Sequence, residues 1–479
     1  MPADRQNLST SNLLFRLLLT LVLLAPLPFG AARDWAAALM AVTAGLLLGA
    51  WGISAALGRI RVTVPLSRLW PVAVPYAAVL LWGAVQSASW LPDGWHHPLW
   101  AEAALALGSD GVAAPGAMSL DPRAGWTGLM RLLSYAGIFF LAVQLGRGRG
   151  RARLALVAFA WAGIAYALYG LIVYFSGFET ILWMEKWAYR GQLTATFVNR
   201  NSYGAYAGLG LCCCLALFAH ALPAGGLRRR DPRIVAEELL LGALPYLIGA
   251  GILATALMLT HSRGAFLAAI LGVIVLMTAL GAGRVVKARR AVTAAFAVVM
   301  LGAGILIGGD EVTLERLAGP ELRADDRTEL FRLTTEAIIA SPWTGQGLGS
   351  FEPALRIYRD TSLGRQLRYD HAHNMYLETA LEFGLPGAAA LLGAIAAALA
   401  ICMRGLRKRR RDQIYPALAI AAGAVLGAHN MVDFSLAMPA VAASFALLLG
   451  IGYAQSWSTS EPPPQPPPPP SDGGGASGS

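Results

Sequence analysis

The sequence predicts an all-α, polytopic membrane protein with about twelve transmembrane helices. Three observations predict it. The residues Ala, Val, Ile, Leu, Met, Phe, Trp, Tyr and Cys make up 56% of the 479, and Gly adds another 53, well above the roughly 45–50% such residues contribute to soluble domains. Charged residues are only 14%, and a soluble domain of this make-up would leave large apolar patches in water. Finally, apolar runs long enough to cross a bilayer alternate with short basic segments.

Twelve spans are expected, at 13–30, 35–57, 70–86, 127–145, 154–175, 201–221, 239–260, 264–282, 291–308, 375–402, 415–432 and 437–454. With residues 1–12 in the cytoplasm, the inside segments hold 22 of the 38 Lys and Arg residues, including Arg147, Arg149, Arg151 and Arg153 in one loop and Arg404, Arg407, Lys408 and Arg409 in another. Every inside loop follows the positive-inside pattern. Residues 13–308 then hold nine spans, 309–374 form a large outside loop, and 375–455 hold the last three spans. The net charge of +10 is a topology signal facing anionic lipid, not a nucleic-acid footprint. The first span is read as a retained anchor, although Gly30-Ala31-Ala32 is small enough for signal cleavage. Residues 456–479, Pro-rich and then Gly- and Ser-rich, are expected to be a disordered cytoplasmic tail. Cys212, Cys213 and Cys214 are consecutive and point apart on a helix, so they and Cys402 are read as small apolar residues.

The outside segments carry the local detail. Trp90, Trp95, Trp100 and Trp126 are read as interface anchors. Residues 325–340 read as a helix capped by Asp325 or Asp326, with Leu330, Leu333, Ala337 and Ile338 on one side, ending at Ser341-Pro342. Gly345-Gln-Gly347-Leu-Gly349 lacks a strand–helix context, so a plain turn is favoured over a phosphate loop.

Outside arginines are informative because orientation does not require them. Arg263, in Thr260-His261-Ser262-Arg263-Gly264, sits in a tight turn between two apolar spans. A charge there is a functional hypothesis, with snorkelling as the bland alternative. Arg190, Arg200, Arg327 and Arg332 are each ordinary surface groups when taken alone. Together with Arg263 they would make an electropositive cavity suited to a lipid-linked pyrophosphate.

The stretch Tyr369-Asp-His-Ala-His-Asn-Met-Tyr-Leu-Glu378 leads into the tenth span. Asn374, Glu378 and Glu382 share a helix face, and glutamates there need a wet or basic surrounding. A histidine at this level suits a general base near neutral pH. Capping is the alternative, and metal binding by His371-x-His373 lacks a third ligand of clear spacing.

These residues resemble the O-antigen ligase and polymerase superfamily, which transfers glycans from undecaprenyl pyrophosphate. The match is His373-Asn374, nine residues, then Gly384-Leu-Pro-Gly387. Thr196-Phe-Val-Asn-Arg-Asn201, the Ser262-Arg263-Gly264 turn, Arg327 before Pro342-Trp-Thr-Gly-Gln-Gly347, and His429-Asn-Met-Val-Asp-Phe434 resemble it more weakly. The similarity runs over roughly 60–455. It implies a metal-independent, cofactor-free, inverting glycosyl transfer on the periplasmic side of the bacterial inner membrane. His373 would deprotonate the acceptor hydroxyl, and Arg263 and Arg327 would hold the pyrophosphate as charge grows on it. Arg190, Arg200, His371, Asn374 and Glu378 would complete the substrate site, with Glu378 orienting a neighbour and Asn374 positioning backbone at the helix start. The implied partners are the lipid-linked donor, a lipid A–core or other glycan acceptor, and membrane lipid. A surface-polysaccharide polymerase and a protein O-oligosaccharyltransferase are the alternatives within the family, and a small-anion transporter the alternative outside it.

Overall fold

The computed structural model describes residues 2–108, 116–222, 237–282, 324–363, 368–409 and 411–457, with residues 233 and 297. The expected ninth span apart from residue 297, residues 309–323 of the outside loop and the tail after 457 lie outside the described residues.

The chain folds as helices throughout, apart from one two-residue hairpin among the described residues. In order these are α1 (Pro2–Leu24), α2 (Asp34–Ala56), α3 (Trp70–Gln86), α4 (Leu99–Leu107), α5 (Pro122–Leu145), α6 (Arg149–Phe175), the hairpin β1 (Thr180–Ile181) and β2 (Met184–Glu185), α7 (Arg200–Ala221), α8 (Leu244–Leu259), α9 (Arg263–Ala282), α10 (Ala324–Ala340), α11 (Phe351–Tyr358), α12 (Met375–Lys408), α13 (Ile414–His429) and α14 (Pro439–Gln455). Among the described residues six of these, and the stretch Leu239–Leu259 that contains α8, are long and apolar enough to cross a membrane, while Ser9–Leu24 of α1 and the helices α3, α13 and α14 are shorter apolar stretches. The protein is an all-α, multi-pass membrane protein.

Several boundaries differ from the sequence expectation for identifiable reasons. The first helix stops at Leu24 because Pro26 and Pro28 follow, and proline neither donates to the ladder nor lets its predecessor stay helical. Helix α5 starts five residues early: Asp121 caps it by accepting from Ala124 N–H at 2.9 Å, with Pro122 in the first turn. Helix α10 covers the predicted 325–340 stretch, and its four predicted core residues are buried. The α4 helix within the Trp-bearing segment was not foreseen. Trp90, Trp95 and Trp126 there are exposed, while Trp100 donates to Ser119 O.

Helices α7 and α14 are the most enclosed, and α13 packs against α7, α9, α12 and α14. Helix α12 is broken at Gly384, whose φ of 74° and ψ of 169° are not helical. A Cβ there would lie 2.6 Å from Trp343 O, so only glycine fits. Gly345, Gly347 and Gly349, all at positive φ, form the turn that packs into this break. In it, Gln346 N–H donates to Leu381 O and Gly347 N–H to Glu382 O. The Gly-rich run is thus a structural turn.

The bundle has two chemically different ends. At one, arginines close the last carbonyls: Arg147 donates to Ala454 O at 2.8 Å, and Arg409 to Gln455 O and Trp457 O, each at 2.6 Å. Arg149 pairs there with Asp412, and Arg68 stacks on Trp457. The other end carries His373.

Candidate active site

Two connecting segments meet at the His373 end: residues 369–374 before α12, and 430–438 between α13 and α14. Asn374 caps α12, accepting from Tyr376 N–H at 3.0 Å and Leu377 N–H at 3.2 Å. Met375 N–H donates to Asn430 O at 2.9 Å, and the Asn430 side chain accepts from Leu436 N–H. His373 lies between these anchors with φ of 51°. That left-handed conformation costs a non-glycine residue about 1–3 kcal/mol and persists only where the surroundings over-determine it.

The turn aims its side chains at the histidines. His373 Nδ1 lies 3.3 Å from Asp433 Oδ1. Asp433 is 1% exposed and also faces Ser435 Oγ at 3.4 Å and His429 Nε2 at 3.9 Å, while Ser435 Oγ sits 2.7 Å from His429 Nδ1. Phe434 stacks on the His371 ring at 4.0 Å and meets His373 edge-on at 5.0 Å. Burial works against ionisation of Asp433, but the His373 bond and the nearby His429 outweigh it and hold its carboxyl below the ordinary range. A carboxylate on Nδ1 fixes the tautomer that leaves the Nε2 lone pair outward, the arrangement a general base needs.

The two glutamates are accounted for. Glu378 Oε1 lies 2.8 Å from His371 Nδ1, and its Oε2 accepts from Ala372 N–H at 2.9 Å. Burial lowers the readiness of His371 to ionise, yet Glu378, with Asp370 and Asp433, raises its pKa above the usual histidine value. Glu382 is also buried, and its backbone O accepts from Gly347 N–H at 3.0 Å, which ties the glycine turn to α12. Glu378 thus braces the histidine segment. Among the described residues no three His, Cys, Asp or Glu side chains form a metal-holding group.

The arginines divide. Helices α7 and α9 begin side by side: a Cβ on Gly204 would lie 2.6 Å from Ala265 Cβ. Arg200 is the first residue of α7 and Arg263 the first of α9, capped by Asn199 and Ser262 respectively. Two parallel helix N-termini, each headed by an arginine, make a setting for an anion. The next residue, Gly264, packs on α13, where a Cβ would lie 2.9 Å from Val432 Cγ2 and 3.4 Å from His429 Cδ2. The start of α9 therefore abuts the Asp433 turn. Arg200 sits 5.7 Å from the Tyr189 ring. Arg327 is half-buried in the first turn of α10. One turn on, Leu330 and Leu333 join the core cluster of Ala372 and Leu381, so α10 starts beside the histidine segment. Arg190 is exposed after the hairpin and donates its Nε to Lys186 O. Arg332 does not join an electropositive cavity: Glu329, Glu336 and Asp360, the last at 2.7 Å, surround its guanidinium.

Residues 248–392 match the family model described as O-antigen ligase. The chain carries an O-antigen ligase domain. The matched stretch contains Arg263, Arg327, His371, His373, Asn374 and Glu378, together with the Gly384–Gly387 break. At family level this is the ligase and polymerase type, enzymes of glycan transfer with lipid-linked glycan and acceptor substrates. The resemblance read from the sequence was wider, over roughly 60–455, than the matched stretch. No curated protein matches the chain. Asp433, Phe434, Ser435 and His429 lie beyond the match. Sequence reasoning noted their turn without giving them a role. The available signal was a carboxylate between two spans with no Lys or Arg near it in sequence and His429 four positions before it.

Proposed function

We propose that this protein transfers a glycan from undecaprenyl pyrophosphate to an acceptor hydroxyl, as an O-antigen ligase does, with inversion and without a metal ion. The observation that carries this reading is the His373–Asp433 pair beside the paired helix starts of Arg200 and Arg263. His373 Nε2 takes the proton of the acceptor hydroxyl. The acceptor oxygen forms its bond to the anomeric carbon from the side opposite the pyrophosphate. The bond from that carbon to the phosphate oxygen breaks, and its electron pair leaves with the pyrophosphate. Arg263 and Arg327 stabilise the growing negative charge, and Arg200 and Arg190 steer the donor. Asp433 keeps His373 in the basic tautomer, while Glu378 and His371 hold the segment that carries it.

The His373 end faces the periplasm of the inner membrane, with the arginine-rich end in the cytoplasm, as the positive-inside pattern indicates. Arginines at helix starts, not midway along the bundle, argue against an anion-transport path.

Purified protein in nanodiscs, given a glycan on undecaprenyl pyrophosphate and an acceptor in excess EDTA, is expected to form transferred glycan and release undecaprenyl pyrophosphate. Loss of all product in EDTA, restored by a single metal, would overturn the metal-free reaction. No transfer under any condition would remove the reading.

A further inference from the structure

We infer that the segment from Phe175 to Trp187, which carries the β1–β2 hairpin, is a membrane anchor seated in the phospholipid headgroup layer at the His373 end of the bundle. Such an anchor does not depend on the transfer reaction.

The polarity of this segment is inverted. Phe175, Phe178, Trp183, Met184 and Trp187 are all exposed, Trp183 at 81%, whereas Lys186 is only 3% exposed. Lys186 Nζ donates to Gln192 O at 2.8 Å and faces Glu179 Oε2 at 3.5 Å. Glu179 Oε1 accepts from Gly191 N–H at 2.7 Å, and Glu179 O accepts from Lys186 N–H at 2.8 Å. Leu182, left-handed at φ of 57°, donates its N–H to Tyr169 Oη at 2.7 Å. The surface of α10 shows the opposite and ordinary pattern, with Arg332, Glu336 and Asp360 paired in the open. A segment that bonds its lysine inward and presents its aromatic side chains outward suits a layer poor in water, where unmade hydrogen bonds are costly and Trp is favoured. Arg33, Glu185 and Arg190 are exposed in the same region, which fits the headgroup level and not the hydrocarbon core.

Continuity names the occupant. Helix α6 starts with Arg149 at the arginine-rich end, so Phe175 lies at the other. Trp161, Leu168, Ile172 and Phe175 are exposed and share one face of α6 at 3.6 residues per turn. On a spanning helix that face meets lipid, and it runs directly into Phe178 and Trp183. Trp35, Leu39, Val42 and Leu46 form the same kind of face on α2. The two faces join at the hairpin: Phe29 meets Trp183 edge-on at 6.5 Å, and Arg33 lies over the Trp187 ring at 5.0 Å. The aromatic patch is thus the rim of the lipid-facing surface and not an isolated platform for a glycan or a protein. The anchor also bears on the candidate site, because Tyr189, two residues beyond Trp187, holds its ring 5.7 Å from the Arg200 guanidinium.

The test uses the full chain in nanodiscs of phosphatidylethanolamine and phosphatidylglycerol. The native cysteines are buried, so a thiol-reactive fluorophore goes to an introduced one. Trp183→Cys carries the probe, and Phe178→Cys serves if that variant does not accumulate. Leu168→Cys, on the lipid face of α6, is the deep reference, and Thr361→Cys, exposed after α11, is the water reference. Quenching by nitroxides on the headgroup and along the acyl chain is expected to place the probe within roughly 5–10 Å of the boundary between headgroup and hydrocarbon. Iodide should quench it far less than at Thr361. Iodide quenching equal to that at Thr361, without lipid quenching, overturns the anchor, and so does a depth equal to that of Leu168. Iodide quenching that a soluble oligosaccharide relieves would make the patch a glycan platform and overturns it equally. In a second arm, hydrogen exchange compares wild type with the double variant Trp183→Ser, Trp187→Ser. Faster exchange over 182–191, with α7 unchanged, is expected once the anchor is lost. Unchanged exchange in the hairpin, or equal acceleration throughout the bundle, contradicts a local anchor.

Discussion

At the arginine-rich end, Arg147 and Arg409 donate to the carbonyls of Ala454, Gln455 and Trp457, and Arg149 meets Asp412. At the His373 end, the ionisable groups meet one another across chain segments, as in His373 with Asp433 and His371 with Glu378. The first arrangement satisfies the open carbonyls of a helix terminus, a structural duty that any cation of suitable reach can perform. The second holds histidines beside buried carboxylates, with a left-handed His373 backbone, and such perturbed, over-determined groups mark sites of chemistry. Charge density alone singles out the arginine-rich end. Burial and the identity of the partner separate the two.

The comparison breaks most visibly at the arginines. Arg263→Lys is expected to lower glycan transfer by about 10²–10³-fold, because a compact ammonium cannot reproduce the planar fork on a phosphate. The defect should appear in donor use, with acceptor KM unchanged. Transfer at the wild-type rate would return Arg263 to the class of the arginines at the other end.

The next largest effect is expected from Asp433→Asn. The amide keeps the shape but can present its NH2 group to Nδ1, which favours the unproductive tautomer. Transfer should fall about 10²-fold while donor binding, measured by retention of radiolabelled lipid, stays intact. An unaffected rate would reduce Asp433 to a packing residue.

Arg409→Ala sharpens the contrast from the other end. Two hydrogen bonds from a charged, largely buried donor are lost, so stability should drop by about 1–3 kcal/mol. The transfer rate per folded molecule should not change. Thermal unfolding in detergent and transfer assays on the same sample check both halves.

The smallest effect is a pH dependence at His371. Its pKa is raised in the folded protein, so its pairing with Glu378 contributes fully below the ordinary histidine value of about 6.5. That contribution is lost as pH rises through the folded value. Wild type should therefore lose more stability than His371→Gln between about pH 5.5 and about pH 9. Parallel melting curves for the two proteins would contradict the pair.

Much of this was legible in the sequence because it is local. The apolar runs, the Asn374 cap and the spacing from His373 to Gly384 depend on neighbours a few residues away. Helix α12 was read as one continuous span, although Gly384 and Pro386 are both helix breakers. Their effect shows only with the glycine turn at 345–349 packed into the break. Asp433 was missed because its bond to His373 spans 60 positions, and no periodicity connects two loops at different helix ends. Arg332 was grouped with the other arginines although Glu329 and Glu336, three and four positions away, offer it partners on its own helix; Asp360, 28 positions on, joins them only after folding. Local patterns specify elements, whereas the partner of a buried charge is a property of the tertiary fold.

The central claim is that His373 is the base of the transfer reaction. The most direct measurement is the rate of glycan transfer by His373→Ala in membranes, at wild-type protein level and with donor binding verified. The account predicts a loss of at least about 10²–10⁴-fold, the usual contribution of a positioned general base, with the donor still bound. Near-normal transfer by that variant would contradict it.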